Sequence, residues 1–412
     1  MNTWLPLLVT LLIQAFSALS LMAVPVLVPV EGGVPRLSAN GIGLYLFCGY
    51  VGAVLGSLGA GPIVARLGAI RTSQYALALS TLGLAMAAMW PGGILLAAFC
   101  IGLGYGPITP ASSHVLIQTT PAHQRNLVFS IKQTGVPVGV AMTGFLIPPL
   151  GSSLGWAGTL LVLAGACAVV VVLANPIRAE LDSRTALPQH MGQPTALTVR
   201  FMMQQLFVPL TVIAQHRQLR ILAAVSFVFS GIQIAFTSYI VSYLTSSLAL
   251  SALLSGSLLA LSQLGGVMGR ITWGYLSDKL INPLHMLALL AGAISLSAFS
   301  TASLSHWGVV VPALLLSGLM VLYGASASGW NGVYLAEVAR RAPAGQAAQA
   351  TSGTLACTFF GVLVGAPLFG LVVSSPGGYT LAFAMQAVFA LSIGILLFIH
   401  RAKFSDPKPD PV

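Results

Sequence analysis

The chain of 412 residues is 57% hydrophobic and only 6% charged, and its mean hydropathy is +0.93. Soluble domains carry roughly 25% charged residues, so this composition excludes a soluble globular protein and indicates a polytopic integral membrane protein. The net charge of +10 does not indicate nucleic acid, because the basic residues fall in alternate connections between apolar runs and in the C-terminal tail.

Twelve apolar runs of about 20 residues, the length that crosses a hydrocarbon core of ~30 Å, predict twelve transmembrane helices. In chain order the runs are 4–29, 40–62, 72–90, 93–117, 126–149, 154–174, 219–244, 252–276, 284–304, 308–335, 347–373 and 378–400. Arg36 is the one basic residue on the side opposite the other loops. By the positive-inside rule both termini are cytoplasmic, and we expect the protein in a bacterial inner membrane.

The two halves of the sequence repeat each other in the same order. The matching segments are Gly61 to Gly68 with Gly274 to Lys279, Gln14 with Gln233, Tyr105 with Tyr323, and Ser130 to Val140 with Ser352 to Val362. The repeat predicts an all-α membrane fold of two six-helix bundles, residues 1–174 and 219–400, related by pseudo-two-fold symmetry. Residues 175–218 form a cytoplasmic linker whose segment 197–207 suits a short surface helix or a disordered tether, and 401–412 form a cytoplasmic tail. In repeat-built transporters the substrate site lies where the halves meet.

A charged turn follows the second run and returns after the eighth. The first copy keeps Gly61, Arg66, Gly68 and Arg71 of the pattern Gly-x-x-x-Asp-Arg/Lys-x-Gly-Arg/Lys but has Ala65 in place of the aspartate. With twelve runs and a mid-chain linker, this turn makes the chain resemble the major facilitator superfamily over essentially its whole length.

The second copy of the turn keeps Gly274, Asp278 and Lys279 but has Ile281 in place of the glycine. The resemblance implies alternating access and a cytoplasmic gate held by ion pairs and helix ends at these loops. The residues it implies for the gate are Arg66, Arg71, Asp278 and Lys279.

Two cations lie deep inside apolar runs. Arg270 is eight residues before Asp278, roughly 12 Å along a helix, and Lys132 is seven residues beyond Arg125, roughly 10 Å. Because an intramembrane charge is costly, it is by default a functional-site hypothesis. None of the seven acidic residues falls in the middle of a run, so the expected partner is an anionic substrate, which a guanidinium can grip through two parallel hydrogen bonds.

Each cation also has a structural alternative. Lys132 can snorkel to the cytoplasmic surface, and Arg270 can belong to the gate. The repeat places Thr354 opposite Lys132 and Ser57 opposite Arg270, so the scaffold itself needs neither cation. This comparison favours substrate binding.

The eighth run strengthens that hypothesis. Gly-Arg270-x-x-Trp-Gly resembles the eighth helix of monocarboxylate and oxalate/formate carriers, in which an arginine at this place binds the substrate carboxylate. The aromatic-glycine pattern of the first helix of those carriers is absent from Leu11 to Leu21.

Other polar and aromatic side chains within the runs are expected to complete the site. They are Gln14, Gln133, Gln233, Tyr105, Tyr239, Tyr323, Trp330 and Asn331. The alternative for each is an interhelical hydrogen bond or a packing role. His114 can titrate near neutral pH or be an ordinary packed histidine, and Trp90, Trp156 and Trp307 are expected to be interfacial anchors.

The leading hypothesis is a secondary transporter, acting as a monomer in the lipid bilayer, that moves a small organic anion such as a carboxylate. Coupling is open between proton symport, through the protonated substrate or His114, and anion exchange or facilitated diffusion. The alternative is an efflux transporter for amphipathic drugs, whose fifth-helix motif appears only in part, as Gly135 and Gly144.

A receptor or membrane enzyme is the third class considered. An enzyme needs converging acid, base or nucleophilic groups, and the sequence offers isolated candidates. It contains no phosphate-binding glycine loop, nucleotide motif or metal cluster, and its four cysteines are dispersed. We therefore expect no catalytic activity and no cofactor.

Overall fold

A computed structural model of the protein describes residues 4–30, 37–121, 128, 131–185, 211–306, 312–343 and 347–400. The expected linker helix at 197–207 and Trp307 lie outside these residues. The helices that position the site are α1 (Trp4–Leu27), α2 (Ala39–Leu67), α3 (Ala69–Met89), α4 (Ile94–Thr119), α5 (Gly135–Leu173), α6 (Asn175–Thr185), α7 (Arg217–Ser246), α8 (Ala252–Lys279), α9 (Pro283–Ser303), α10 (Ala313–Gly329), α11 (Asn331–Arg341), α12 (Ala347–Val373) and α13 (Gly378–His400).

Each of the twelve predicted spans overlaps helix in the described residues, and the tenth covers both α10 and α11. Parts of the fifth and tenth predicted spans lie outside the described residues. Ten helical stretches are long and apolar enough to cross a membrane, and one of them, Ile131–Arg178, is 48 residues long because it contains both the fifth and the sixth span. The 21-residue helix α3 occupies the predicted third span. The all-helical membrane fold is therefore confirmed.

The fifth and sixth spans are joined by a single sharp turn rather than by a separate loop. Gly155 has φ 64° and ψ −168°, a conformation that residues with a Cβ rarely adopt. Trp156, immediately after the turn, is 8% exposed, and its indole N–H donates to the carbonyl of Ala87 at 3.0 Å. Trp156 therefore joins α5 to α3 instead of acting as the expected interfacial anchor, whereas Trp90 is exposed.

Helix contacts repeat between the halves. In the N-terminal half α2 packs on α4, α1 on α5 and α3 on α5; correspondingly α8 packs on α10, α7 on α12 and α9 on α13. The halves meet along two equivalent pairs, α5 with α8 and α2 with α12. This pairing is the pseudo-two-fold arrangement expected from the sequence repeat, while the limits of the two bundles stay a prediction.

Both inter-half contacts include close crossings at one end of the helices. We call the end that carries Arg66, Arg71 and Lys279 the basic end, and the other the opposite end. At the opposite end Gly144 of α5 faces Gly256 of α8 so closely that a Cβ on either residue would lie 2.2 to 2.3 Å from the carbonyl oxygen of the other. Glycine at both positions therefore allows the two backbones to touch, as small residues do in membrane helix pairs.

Replacing Gly256 with alanine is expected to destabilise this closed crossing by about 1–3 kcal/mol, the usual cost of overpacking. Thermal unfolding in detergent measures the effect. Gly292→Ala is the matched control, because a Cβ at Gly292 would meet nothing within 4 Å. Equal melting temperatures for the two variants would contradict the prediction.

Candidate functional site

Arg270 lies where the two halves meet. Its side chain is half-buried in α8, its Nε donates to the carbonyl of Ser328 at 3.0 Å, and its Nη1 donates to the carbonyl of Gln133 at 2.8 Å. A guanidinium has five N–H groups, and the described residues provide acceptors for two of them. Donors therefore remain for an anion beside the contact between the halves.

A second set of polar side chains adjoins Arg270 from the N-terminal half. Gln14 of α1 is 0% exposed, and the Thr109 hydroxyl of α4 donates to its Oε1 at 3.2 Å. Tyr105, one turn before Thr109, lies beside Gln14 and within electrostatic reach of the Arg270 guanidinium. Gly135 allows the fifth span to approach, since a Cβ there would lie 3.0 Å from that of Gln14.

Lys132 is almost completely buried near the start of the fifth span. Its side chain is 1% exposed, and its Nζ has no hydrogen-bond partner among the described residues. The snorkelling alternative is therefore not realised in this structure. Its neighbour in the chain, Gln133, is the residue whose carbonyl bonds Arg270, and Gly135, three residues after Lys132, lies against Gln14. The main chain at Lys132 therefore adjoins the segment that contacts both Arg270 and Gln14.

We call Gln14, Tyr105, Thr109, Lys132 and Arg270 the central cluster. Its polar groups are incompletely paired, because Nζ of Lys132 and Nε2 of Gln14 are both buried with no partner in the part of the chain that the structure describes. Leaving a buried donor unpaired costs about 1–3 kcal/mol, and more when the donor is charged. The cluster is therefore suited to a ligand that accepts hydrogen bonds and carries negative charge.

Two contributors to this region were not singled out from the sequence. Thr109 lies between two prolines of α4, a local signal of irregular backbone that could have drawn attention to it. Tyr50 of α2 packs edge-on against Tyr105, with ring centroids 6.4 Å apart and planes at 72°. A lone tyrosine in an apolar run carries no such signal, and only the helix contact reveals it.

Several predicted site residues lie instead in the packing of the C-terminal half. The Tyr323 hydroxyl donates to Oε1 of Gln386 at 2.5 Å, and its ring stacks on Phe236 with centroids 4.0 Å apart. The Trp330 indole donates to Oε1 of Gln233 at 3.2 Å. These contacts correspond to the interhelical alternative.

The remaining predicted residues are less engaged or lie elsewhere. Gln133 is half-buried and supplies its main-chain carbonyl to Arg270, and Asn331 is half-buried at the start of α11. Tyr239 is buried at the opposite end, where its hydroxyl donates to the carbonyl of Ala366 at 3.2 Å. His114 is half-buried, with Nδ1 enclosed and unpartnered within the described chain.

The expected gate residues lie at the basic end. Arg66 and Lys279 are exposed in the last turns of α2 and α8, and the Arg71 Nε donates to the Tyr75 hydroxyl at 3.2 Å. The side chain of Asp278 lies outside the described residues.

Asp182, which was not predicted as a gate residue, contributes an acid at the first charged turn. From α6 it accepts hydrogen bonds from the main-chain N–H groups of Ile70 at 2.8 Å and Arg71 at 3.1 Å. A carboxylate at a helix N-terminus is stabilising. Helix α6 therefore supplies an acid to the turn in which Ala65 stands in place of the usual aspartate.

Among the described acidic side chains, Glu337 is the buried one. It is 0% exposed and accepts hydrogen bonds from Nε of Arg340 at 2.9 Å and Nε of Arg341 at 2.8 Å, all within α11. Its charge is neutralised by its own helix and does not balance the central cluster. In the described residues no group of three His, Cys, Asp or Glu could hold a metal ion.

A depression of about 340 Å³ lies at the opposite end, between α1, α2, α7 and α13. Its lining includes Val28, Ile42, Ser242 and Tyr379, and none of its eight lining residues is charged. An anion gains no ion pair there. The central cluster is the better candidate site on chemical grounds.

Comparison with known proteins agrees with the fold. A family model described as Major Facilitator Superfamily matches residues 7–353. A gallate transporter from Pseudomonas putida is 27% identical, over 98% of this chain and 93% of its own length. The 4-hydroxybenzoate transporter PcaK from Pseudomonas aeruginosa is 26% identical, over 82% of this chain and 78% of its own.

Solved structures share the fold at low sequence identity. The nucleoside transporter NupG matches with a TM-score of 0.73 and 16% identity, over 99% of this chain and 100% of the other. The peptide transporter POT in complex with sulfate matches with a TM-score of 0.72 and 18% identity, over 97% of this chain and 94% of the other.

Proposed function

This chain belongs to the major facilitator superfamily, and we propose that it is a secondary transporter of small aromatic carboxylates that works by alternating access. The observation that carries the proposal is that Arg270, at the contact between the halves, bonds the carbonyl next to Lys132, a second cation that is buried and has no hydrogen-bond partner among the described residues. Two relatives are transporters of gallate and of 4-hydroxybenzoate, both aromatic carboxylates, which supports this substrate class.

Each part of such a substrate has a matching group in the cluster. The carboxylate accepts from the free N–H groups of Arg270 and from the Lys132 ammonium, in charge-assisted hydrogen bonds. The ring packs against Tyr105, which Tyr50 contacts edge-on. A ring hydroxyl accepts from the unpartnered Nε2 of Gln14.

The proposal extends to topology and movement. Residues 1–174 and 219–400 rock as two bundles about the central cluster, joined by the linker 175–218. The basic end faces the cytoplasm of a bacterial inner membrane, as the distribution of Lys and Arg favours. The residues Arg66, Arg71, Asp278 and Lys279 close that end, and the transporter acts as a monomer.

The test is ligand-induced thermal stabilisation of the purified protein, with benzoate, 4-hydroxybenzoate and the lipophilic cation tetraphenylphosphonium as probes. A ligand at 100 times its Kd stabilises the state that binds it by about 2.7 kcal/mol. The two carboxylates are expected to raise the melting temperature and the cation to leave it unchanged. Stabilisation by the cation alone would overturn the proposal in favour of drug efflux.

Uptake into proteoliposomes then separates the modes of coupling that need no protein carboxylate. Proton symport predicts that a pH gradient drives accumulation of labelled 4-hydroxybenzoate into empty vesicles. Anion exchange predicts that uptake requires unlabelled carboxylate inside. Facilitated diffusion predicts uptake only until the concentrations inside and outside are equal. Binding without any of these three forms of uptake would contradict transport.

A further inference from the structure

The hydrogen bond from Arg270 to Gln133 is an inter-half bond within the central region. Nη1 of Arg270 belongs to α8 of the C-terminal half, and the carbonyl of Gln133 belongs to the start of the fifth span. The same helix pair also touches at the opposite end, through Gly144 and Gly256. The fifth span and α8 are therefore in contact at two places, through the Arg270–Gln133 bond and through Gly144 and Gly256. Separation of the halves at the basic end must break the Arg270–Gln133 bond.

The sequence explains why this carbonyl is free to accept. In a continuous helix the carbonyl of Gln133 would accept from the N–H of residue 137, four positions later. Residue 137 is proline, which has no N–H. The backbone of Thr134 is nearly helical, with φ −70° and ψ −14°, and the N–H of Val138 already donates to the Thr134 carbonyl at 3.0 Å. Pro137 is thus the local reason that the helical bond to Gln133 cannot form.

We propose that Pro137 is a positioning residue for the substrate-binding guanidinium: by leaving the Gln133 carbonyl free, it holds Arg270 in place and latches the two halves together toward the basic end. The inference rests on the alternating access of the proposed function. Pro137 then affects the equilibrium between conformations by leaving a carbonyl free, and not only by kinking the helix.

The Ser328 carbonyl, the second acceptor for Arg270, also lies next to a break in a helix. Nε donates to the carbonyl of Ser328, which lies two residues before Trp330, at the break between α10 and α11. Both carbonyls that hold the guanidinium therefore come from places where a helix is interrupted. The Ser328 carbonyl fixes Arg270 within the C-terminal half, and the Gln133 carbonyl bonds it to the N-terminal half.

The test measures the distance between the halves directly. Spin labels are attached at Leu67→Cys and Leu280→Cys, two exposed positions at the basic ends of α2 and α8, with the four native cysteines replaced by alanine. The variant is Pro137→Ala, which restores the N–H. Pro149→Ala is the matched control, because Pro149 is an exposed proline of the same helix.

Pro137→Ala is expected to raise the ratio of long to short inter-label distances by about tenfold, the effect of losing a hydrogen bond to a charged group. Pro149→Ala is expected to leave the ratio unchanged. Arg270→Gln should raise the ratio to a similar extent, and the double variant Pro137→Ala/Arg270→Gln should show no further rise, because the two residues act through one bond.

Unchanged distances in Pro137→Ala, or additive shifts in the double variant, would overturn the proposal. If Pro137→Ala does not fold, Pro137→Ser, which also restores the N–H, takes its place with the same expected outcomes. Arg270→Gln tests the latch itself, and an unchanged ratio in that variant overturns it. The measurement needs no substrate. A negative result therefore leaves the proposed substrate class standing, and a failure of carboxylate binding leaves the latch to be judged on its own.

Discussion

Replacing Arg270 with glutamine is expected to raise the Kd for 4-hydroxybenzoate by at least about 30-fold, because truncating one member of a buried charge pair costs about 2–5 kcal/mol. The loss is specific to the anion. Glutamine keeps a donor at this position but neither the charge nor the planar fork of N–H groups. Thermal-shift titration of wild type and variant measures the change.

Arg270→Lys separates charge from geometry. Lysine retains the positive charge but not the two parallel donors, so we expect an affinity between those of the wild type and Arg270→Gln. The control is Arg220→Gln, which removes one positive charge from an exposed position of α7. Wild-type affinity in Arg270→Gln, or equal losses in Arg270→Gln and Arg220→Gln, would exclude Arg270 from the binding site.

Replacing Lys132 with methionine is expected to change stability and binding in opposite directions. Methionine is close to lysine in length but uncharged, so the ligand-free protein is relieved of a buried ammonium without a described partner. Replacing buried ion pairs by apolar side chains stabilises proteins by about 1–4 kcal/mol in favourable cases, and Lys132 has no described partner that its replacement would leave unpaired. The melting temperature without ligand should rise by at least about 2 °C, and stabilisation by 4-hydroxybenzoate should be lost.

The opposite signs distinguish a binding residue from a structural one. A lysine needed for folding would lower the melting temperature when replaced, and a lysine without a role would leave the ligand shift intact. Arg220→Gln again serves as the control and is expected to change neither quantity. A lower melting temperature in Lys132→Met together with an unchanged ligand shift would refute the assignment.

The two halves carry different side chains at equivalent repeat positions, one of them charged and the other neutral. Thr354 occupies the repeat position of Lys132; it is buried, and its carbonyl accepts hydrogen bonds from the hydroxyls of Ser226 and Thr358. A neutral side chain is therefore accommodated at the equivalent place in α12. Charge at Lys132 is consequently a property of this site and not of the fold.

The sequence determined the membrane class, the twelve helical spans and the two deep cations. These features follow from local physics, since each span must be apolar over about 20 residues and must satisfy its backbone hydrogen bonds internally. A charge inside such a span can be recognised from its position in the sequence alone. The repeat then predicted two equivalent bundles without any information on contacts.

The tertiary structure decided which polar residues meet. Helices that are apolar on every side carry no pattern that fixes their rotation, because lipid and protein interior are equally apolar. Tyr105 and Tyr323 occupy equivalent repeat positions, yet one adjoins Arg270 and the other bonds Gln386 within its own half.

The same limit applies to partners that are far apart in sequence. Asp182 reaches α3 from the linker, and Arg270 reaches Gln133 across the contact between the halves. Spacing along the chain cannot predict such pairs, since more than a hundred residues separate the partners in each case. The sequence identified Arg270 and Lys132 as charges in need of an anion; only the folded helices brought Arg270 to the carbonyl next to Lys132 and brought Gln14 to Tyr105 and Thr109.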